Sequence, residues 1–412
     1  MVKYSGSNVL KGSNRMEYYY SDKLASLKPS AIREIFKSLS DPSIISLAAG
    51  NPSPQSFPVE DLSEIAADIF KSTPTQALQY SVTEGYPPLR QAVQERMKKK
   101  FNIDRDGDMT IITSGGQQGI ELACKALCNE GDTVICEDPT FIGALNAFRS
   151  CGAKTVGLPV GEDGIDAAEL DRLISNTPSA KLVYLIPTFQ NPGGFTTSLE
   201  KRKAIYKVCA SHGIMILEDN PYGELRFAGE NIPTLKSMDT EGIVLYSSSF
   251  SKILSAGMRI GYMCGPEPVV QKMVVAKQSE DVHTNIFFQM LTYRYMTERD
   301  LDAHIAAINR LYGAKCALML DTLDRNMPEG VTYTRPQGGL FIWMTLPDKI
   351  DMMEFVRRAL EKKVAVVPGN TFLCDENGRT NSVRLNYSTP SDEEIVAGCE
   401  RLSDTVREML AE

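Results

Sequence analysis

From about residue 110 the chain alternates short apolar runs with longer amphipathic ones, and this alternation limits the fold more than any other feature. "MTIIT" is followed by "QQGIELACKALCNEG", "DTVICE" by "FIGALNAFRSCG", and "KLVYLIP" by "SLEKRKAIYKVCASHG"; then come "IMILED", "GIVLYS" and "RIGYMCG". Runs this short and this apolar suit strands covered on both faces, and the amphipathic stretches suit helices crossing back over them. The pattern therefore predicts an α/β unit built on a largely parallel sheet. Beyond residue 290 the character changes. A long helix is expected over "LTYRYMTERDLDAHIAAINRLYGAKCALMLDTLDRN", followed by "GGLFIWMTLP", "VAVVPGN" and "SVRLNYS", and by a closing helix in "DEEIVAGCERLSDTVREML". The expected division is an N-terminal arm with part of the small domain over 1–55, a large domain over 56–290, and a small α+β domain over 291–412.

With 412 residues, 42% of them hydrophobic, the chain can bury a large core. A net charge of -8 argues against nucleic acid as a partner, because backbone phosphates demand surplus lysine and arginine. No stretch approaches the ~18 apolar residues of a membrane-spanning helix, and the N-terminus lacks the apolar centre of a secretory signal. The expected location is the cytoplasm, with no membrane partner. Nine scattered cysteines, an odd number, suit reduced thiols better than a disulfide framework. Cys124 and Cys128 would share a helix face, yet no Cys-x2-Cys pair or histidine cluster accompanies them, so no metal is expected. His212, His283 and His304 are the only histidines and read as structural.

In open α/β sheets ligands bind beyond the carboxyl ends of the strands. After "MTIIT" comes "SGGQQG", a glycine loop feeding a helix; taken alone it is equally a tight turn, but it would aim backbone N–H groups at an anion. It is neither a Walker A loop nor a G-x-G-x-x-G fingerprint. After "KLVYLIPTFQ" stands Asn191, after "IMILE" stands Asp219 with Tyr222 three residues on, and after "GIVLY" come the serines and Lys252 of "YSSSFSKILSAGMRIGY". A carboxylate ending a buried strand is costly unless it meets a cation or several donors. A lysine in such a place can lose its proton and attack an aldehyde. Lysine, acid, hydroxyls, glycine loop and Arg259 together match the needs of pyridoxal 5'-phosphate, with Lys252 for the aldehyde and the serines and Arg259 for the phosphate.

At this point the chain resembles the class I and II aminotransferases of fold type I, most closely the subgroup with 2-aminoadipate and kynurenine aminotransferases and the effector domains of related transcription regulators. "LAAGNPSPQSFP", "LQYSVTEGYPPLR", "ITSGGQQGIEL", "EDPTF", "QNPGG", "EDNPYGELRF", "SSSFSKILSAGMRIGY", "RPQGGLFIWM", "VVPGNTF" and "VRLNYS" carry the resemblance in order. It implies a large, mixed, mainly parallel seven-stranded sheet domain with a smaller α+β domain. It also implies roles. Lys252 forms the Schiff base, Asp219 faces the pyridine nitrogen, and Asn191 and Tyr222 face the 3-hydroxyl oxygen. Gly116, Gln117, Ser249, Ser251 and Arg259 hold the phosphate, Phe141 stacks on the ring, and Tyr80 reaches the phosphate of a second subunit in a homodimer with shared sites. On the substrate side the resemblance implies Arg384 on the α-carboxylate, with Asn191 and Gly50 beside it and Ser30 and Arg33 as candidates for reading the distal end.

Two positions depart from the pattern: Gly116 stands where relatives often carry serine, and Phe141 where they often carry tyrosine. Read alone, Asp219 is equally a helix cap, Arg384 a strand-end ion pair, and Arg33 a residue docking the N-terminal arm. The implied reaction moves an amino group from an L-amino acid to a 2-oxo acid such as 2-oxoglutarate. The alternative is a β-eliminating carbon–sulfur lyase on the same fold. A regulator is not expected, since about forty residues precede "LAAGNPSP", too few for a winged-helix domain.

Overall fold

The computed structural model describes residues 19–21 and 41–412. Its centre is a sheet of seven longer strands with a two-residue eighth. In chain order these follow β1 (Ile45–Ser46) and are β2 (Asp108–Thr113), β3 (Thr133–Asp138), β4 (Lys154–Gly161), the short β5 (Gly164–Ile165), β6 (Ala180–Leu185), β7 (Met215–Asp219), β8 (Val244–Ser249) and β9 (Gly261–Pro266). Their spatial order is β2-β9-β8-β7-β6-β3-β4-β5. β8, β7, β6, β3 and β4 pair in parallel, while β9 runs antiparallel between β2 and β8. The seven expected strands are present, with β5 as an added hairpin strand on β4. β4 itself escaped the apolar pattern because glycine and proline interrupt "KTVGLPVG".

Both faces of this sheet are covered, which explains the unbroken apolar runs. Along β6, Leu182 and Tyr184 pack into a cluster with the helices Gly116–Leu127, Ile142–Ser150 and Glu267–Gln278. Val183 and Leu185 point the other way, into a cluster with Ala167–Ser175 and Leu199–His212. Each fully buried aliphatic side chain contributes about 1.5–3 kcal/mol, so a one-residue slip in a central strand is prohibited and the strand ends are held in register.

A second sheet, β10 (Thr332–Tyr333), β11 (Phe341–Thr345), β13 (Val367–Pro368) and β14 (Ser382–Asn386), has the order β10-β11-β14-β13 and is antiparallel throughout. β1 pairs in parallel with β12 (Val364–Ala365), which ties residues near the N-terminal arm to this C-terminal part. The single long helix expected from residue 291 is two helices, Ile286–Glu298 and Leu301–Asn326. Arg299 between them is extended, and the Asp300 side chain accepts from the Ala303 N–H as an N-cap, starting a new helix rather than continuing the old one. The border drawn at 290/291 falls inside the first of these helices, and the border at 55/56 falls inside the turn Pro54–Ser56. Among the described residues no helix is long and apolar enough to cross a membrane.

Candidate active site

Most of the residues singled out in the sequence lie at or just after the ends of β2, β3, β6, β7 and β8, while Arg384 comes from β14. Asp219 closes β7 with 4% exposure, and its Oδ2 accepts a hydrogen bond of 2.9 Å from the Tyr184 hydroxyl on the neighbouring strand β6. Burial pushes its carboxyl up to about 6, against the hydrogen bonds from Tyr184 and Ser247 that favour the charged form. The acid is thus poised between forms until a cation faces it. Tyr184 was not anticipated from the sequence; it reads there as one more core aromatic in an apolar strand.

Lys252 follows β8. Its Nζ donates 2.8 Å to the Gly50 carbonyl, and burial, with Arg384 and Arg259 adding repulsion, lowers its ammonium to about 8. That is the direction a nucleophilic amine needs. Arg384 lies on β14, 3% exposed. Its Nη2 donates 2.9 Å to the Ala48 carbonyl and its Nη1 2.9 Å to Asn191 Oδ1, while Asn191 Nδ2 donates 3.5 Å to the Tyr222 hydroxyl. The guanidinium carbon stands 4.1 Å from the Phe341 ring centre and 4.9 Å from that of Phe372. Nε has no partner, and no carboxylate pairs with this arginine among the described residues. A buried guanidinium left with neutral acceptors calls for an anion, and burial accordingly lowers it to about 10.

The third group surrounds the glycine loop after β2. Ser249 Oγ donates 2.8 Å to Ser251 Oγ, Arg259 Nη1 reaches Ser251 Oγ at 3.4 Å, and Arg259 Nη2 donates 3.3 Å to the Ser114 carbonyl. Gly115 has φ +79°, and a Cβ there would meet Arg259 Nη2 at 2.2 Å. At Gly261 a Cβ would stand 2.6 Å from the Gly115 carbonyl carbon, so β9 passes the loop only as glycine. Gly116 opens the helix Gly116–Leu127, giving the loop the N–H groups of a helix start. At position 116 itself a Cβ would meet nothing closer than Ser247 Oγ at 3.8 Å. Gln117 Nε2 donates 2.8 Å to the Gly143 carbonyl, and Phe141 caps the helix Ile142–Ser150 beside it.

Two further residues missed in the sequence join these loops. Gln190 Nε2 donates 2.7 Å to the Pro139 carbonyl and its Oε1 accepts 2.6 Å from the Gly193 N–H, so it ties the Phe141 loop to the Asn191 loop. Glu137 Oε2 accepts from Gln190 Nε2 at 3.3 Å and from the Ile186 N–H at 3.0 Å, and burial pushes it up to about 7. Tyr80 stands apart, 80% exposed, edge-on to His283 with ring centres 5.9 Å apart. Ser30 and Arg33 lie outside the described residues.

Three cations, Lys252, Arg259 and Arg384, thus lie near enough for the two arginines to repel the lysine, and a helix start adds further positive potential. This donor set suits a ligand with a phosphate dianion, an aldehyde and a basic ring nitrogen, together with a second ligand bearing a carboxylate. Pyridoxal 5'-phosphate and an amino acid have those groups.

The family model described as aminotransferase class I and II matches residues 42–402. The chain is 39% identical over 396 residues to aromatic-amino-acid aminotransferase 1 of Thermococcus litoralis, covering 95% of each. It is 38% identical to the 2-aminoadipate transaminase of Thermus thermophilus, covering 93% of this chain and 96% of the relative. Among solved structures, the kynurenine aminotransferase of Pyrococcus horikoshii, in complex with PMP, superposes with a TM-score of 0.91 at 38% identity, covering 95% of this chain and 98% of the other. These relatives are named for transamination, and the lyase alternative finds no support among them. The strand-end lysine, the buried acid and the anion-seeking arginine belong to a fold type I enzyme that uses pyridoxal 5'-phosphate to move amino groups, and the chain is a member of the class I and II aminotransferases.

Proposed function

We propose that this enzyme binds an L-amino acid by its α-carboxylate at Arg384 and moves its amino group to a 2-oxo acid, with 2-oxoglutarate as the common acceptor. One observation carries the assignment of residues. Lys252 Nζ and Arg384 Nη2 are bound to carbonyls two residues apart, Gly50 and Ala48. The amine and the carboxylate receptor are therefore within the reach of one amino acid's Cα substituents.

When bound, the cofactor supplies an electrophilic aldehyde and an electron-accepting pyridine ring. Asp219, when ionised, would accept a hydrogen bond from the ring N–H and so favour the charged nitrogen. Asn191 and Tyr222 would hold its 3-hydroxyl oxygen, Phe141 would stack without donating, and Arg259, Ser249, Ser251 and the N–H groups of Gly116 and Gln117 would hold its phosphate. Lys252, held near neutrality, is the group suited to take the Cα proton and give it back. Arg384 replaces its neutral acceptors by a bidentate carboxylate. Gly50 keeps the pocket open beside it, since a Cβ there would stand 3.3 Å from the Phe341 ring.

The homodimer belongs to the same reading. Tyr80, 80% exposed, and Leu78, 74% exposed, suit burial against a second copy whose phosphate Tyr80 would meet. For the substrate side chain we infer breadth, with Ser30 and Arg33 as readers of acidic donors. A donor panel against 2-oxoglutarate, repeated with Arg33→Ala, separates the cases: selective loss on acidic donors supports the reader, and equal rates in both proteins reduce Arg33 to docking. Lys252→Ala tests the central assignment. It should abolish the half-reaction in which amino acid alone yields its 2-oxo acid, and near wild-type turnover would overturn it. Pyruvate and ammonia released from a cysteine-type substrate without acceptor would instead favour elimination.

A further inference from the structure

Beside the glycine loop lies a polar hub, built around a buried lysine, that the reaction does not use. Lys277, in the last turn of the helix Glu267–Gln278, has a fully buried side chain. Its Nζ donates to Asp281 Oδ1 and Oδ2 at 2.7 and 2.8 Å, to Gln118 Oε1 at 2.9 Å and to Thr284 Oγ1 at 2.9 Å. An ammonium has three donors and no acceptor, so all of it is committed to this cluster. Its acceptors in turn grip Ser114. Asp281 Oδ2 accepts from Ser114 Oγ at 2.6 Å and from Gln118 Nε2 at 2.9 Å, and Gln118 Oε1 accepts from the Ser114 N–H at 2.8 Å. Ser114 is therefore held at its backbone and at its side chain by groups that Lys277 orients, and its carbonyl receives Arg259.

The hub also holds a backbone that would not persist alone. Val282, between Asp281 and Thr284, sits at φ 63°, a left-handed conformation that β-branched residues avoid. Such strain survives where the surroundings over-determine it. The Lys277–Asp281 pair is neutral in sum, so its effect on a nearby dianion is geometric: it holds Ser114, two residues before the helix start whose first N–H groups are those of Gly116 and Gln117.

We propose that Lys277, acting through Asp281 and Gln118, is a positioning residue for the phosphate-binding loop, which rests on the reading that this loop takes the cofactor's phosphate. The enzyme so built distinguishes pyridoxal 5'-phosphate from pyridoxal through a loop pre-set from behind. The test is a titration of cofactor-free protein with each ligand, followed by the absorbance change on attachment to Lys252. Lys277→Met should weaken pyridoxal 5'-phosphate by about 10- to 100-fold, the usual scale for removing groups that orient direct ligands, while pyridoxal binding changes by no more than about twofold. Equal loss for both ligands, as general destabilisation would give, or loss for neither, overturns the proposal. If Lys277→Met does not fold, Ser114→Ala removes only the loop's side-chain grip and should show the same selectivity, about fivefold or more; unselective behaviour there counts equally against it. Arg259→Gln separates this inference from the reading beneath it. Should Arg259→Gln leave the phosphate ligand's advantage intact, the phosphate is not held at this loop; should it abolish that advantage while Lys277→Met and Ser114→Ala do not, only the positioning role fails.

Discussion

Replacing Tyr184 by phenylalanine isolates a single bond to Asp219, the acid proposed to face the cofactor. The ring, edge-on to Phe148 with centres 5.4 Å apart, stays in place, and only the hydroxyl that donates 2.9 Å to Asp219 Oδ2 is lost. A hydrogen bond to a charged group is worth about 1.5–3 kcal/mol, or roughly 1–2 pKa units. Asp219, already pushed up to about 6 by burial, should move to roughly 7–8 in the variant. The sign follows from linkage. A carboxyl whose folded value lies above its unfolded 3.8 binds its proton more tightly in the native state, so its contribution to stability falls as pH rises from about 4 to about 6, by about 3 kcal/mol, and is flat above. In Tyr184→Phe the fall continues to roughly pH 8. Urea unfolding of the cofactor-free protein should therefore show a difference between variant and wild type that is small at about pH 5 and grows by about 1.5–3 kcal/mol at about pH 9. A difference that is the same at both ends of that range would mean that the hydroxyl does not stabilise the ionised acid, and the reasoning fails.

Three other outcomes are expected. Arg384→Gln should lower kcat/KM by roughly 10- to 150-fold for every amino acid donor alike, since a charged carboxylate bond of about 1.5–3 kcal/mol is lost from a group all donors share; a donor-dependent loss would move the carboxylate elsewhere. Gly116→Ser should fold normally, because a Cβ there meets only Ser247 Oγ at 3.8 Å and Ser249 Cβ at 3.9 Å, and cofactor affinity should rise by the worth of one hydrogen bond, about 0.5–1.5 kcal/mol; a lower affinity measured by titration would refute the space assigned to it. Tyr80→Phe should speed cofactor loss on dialysis without altering the cofactor-free fold, and unchanged retention would remove Tyr80 from the shared site.

The strands and the crossover helices were legible in the chain because each is announced locally. An apolar run reports a strand covered on both faces, as in β6 and β7, and Asp219 stands out as the acid that closes such a run. Where local signals conflict or are weak, the reading slipped: β4 is broken by glycine and proline, and the start at Asp300 was hidden inside a longer helical pattern whose cap was overlooked. The partners were a different matter. That Tyr184 faces Asp219 depends on β6 lying beside β7, with Leu185 opposite Glu218 in the ladder. That Ala48 and Gly50 receive Arg384 and Lys252 depends on residues 47–50 running between β14 and the turn after β8, and that Lys277 meets Gln118 and Asp281 depends on one helix packing against another. Hydrophobic periodicity specifies which face of an element is buried, but hydrogen-bond partners distant in the chain meet only after those faces have packed; only the tertiary structure decided them.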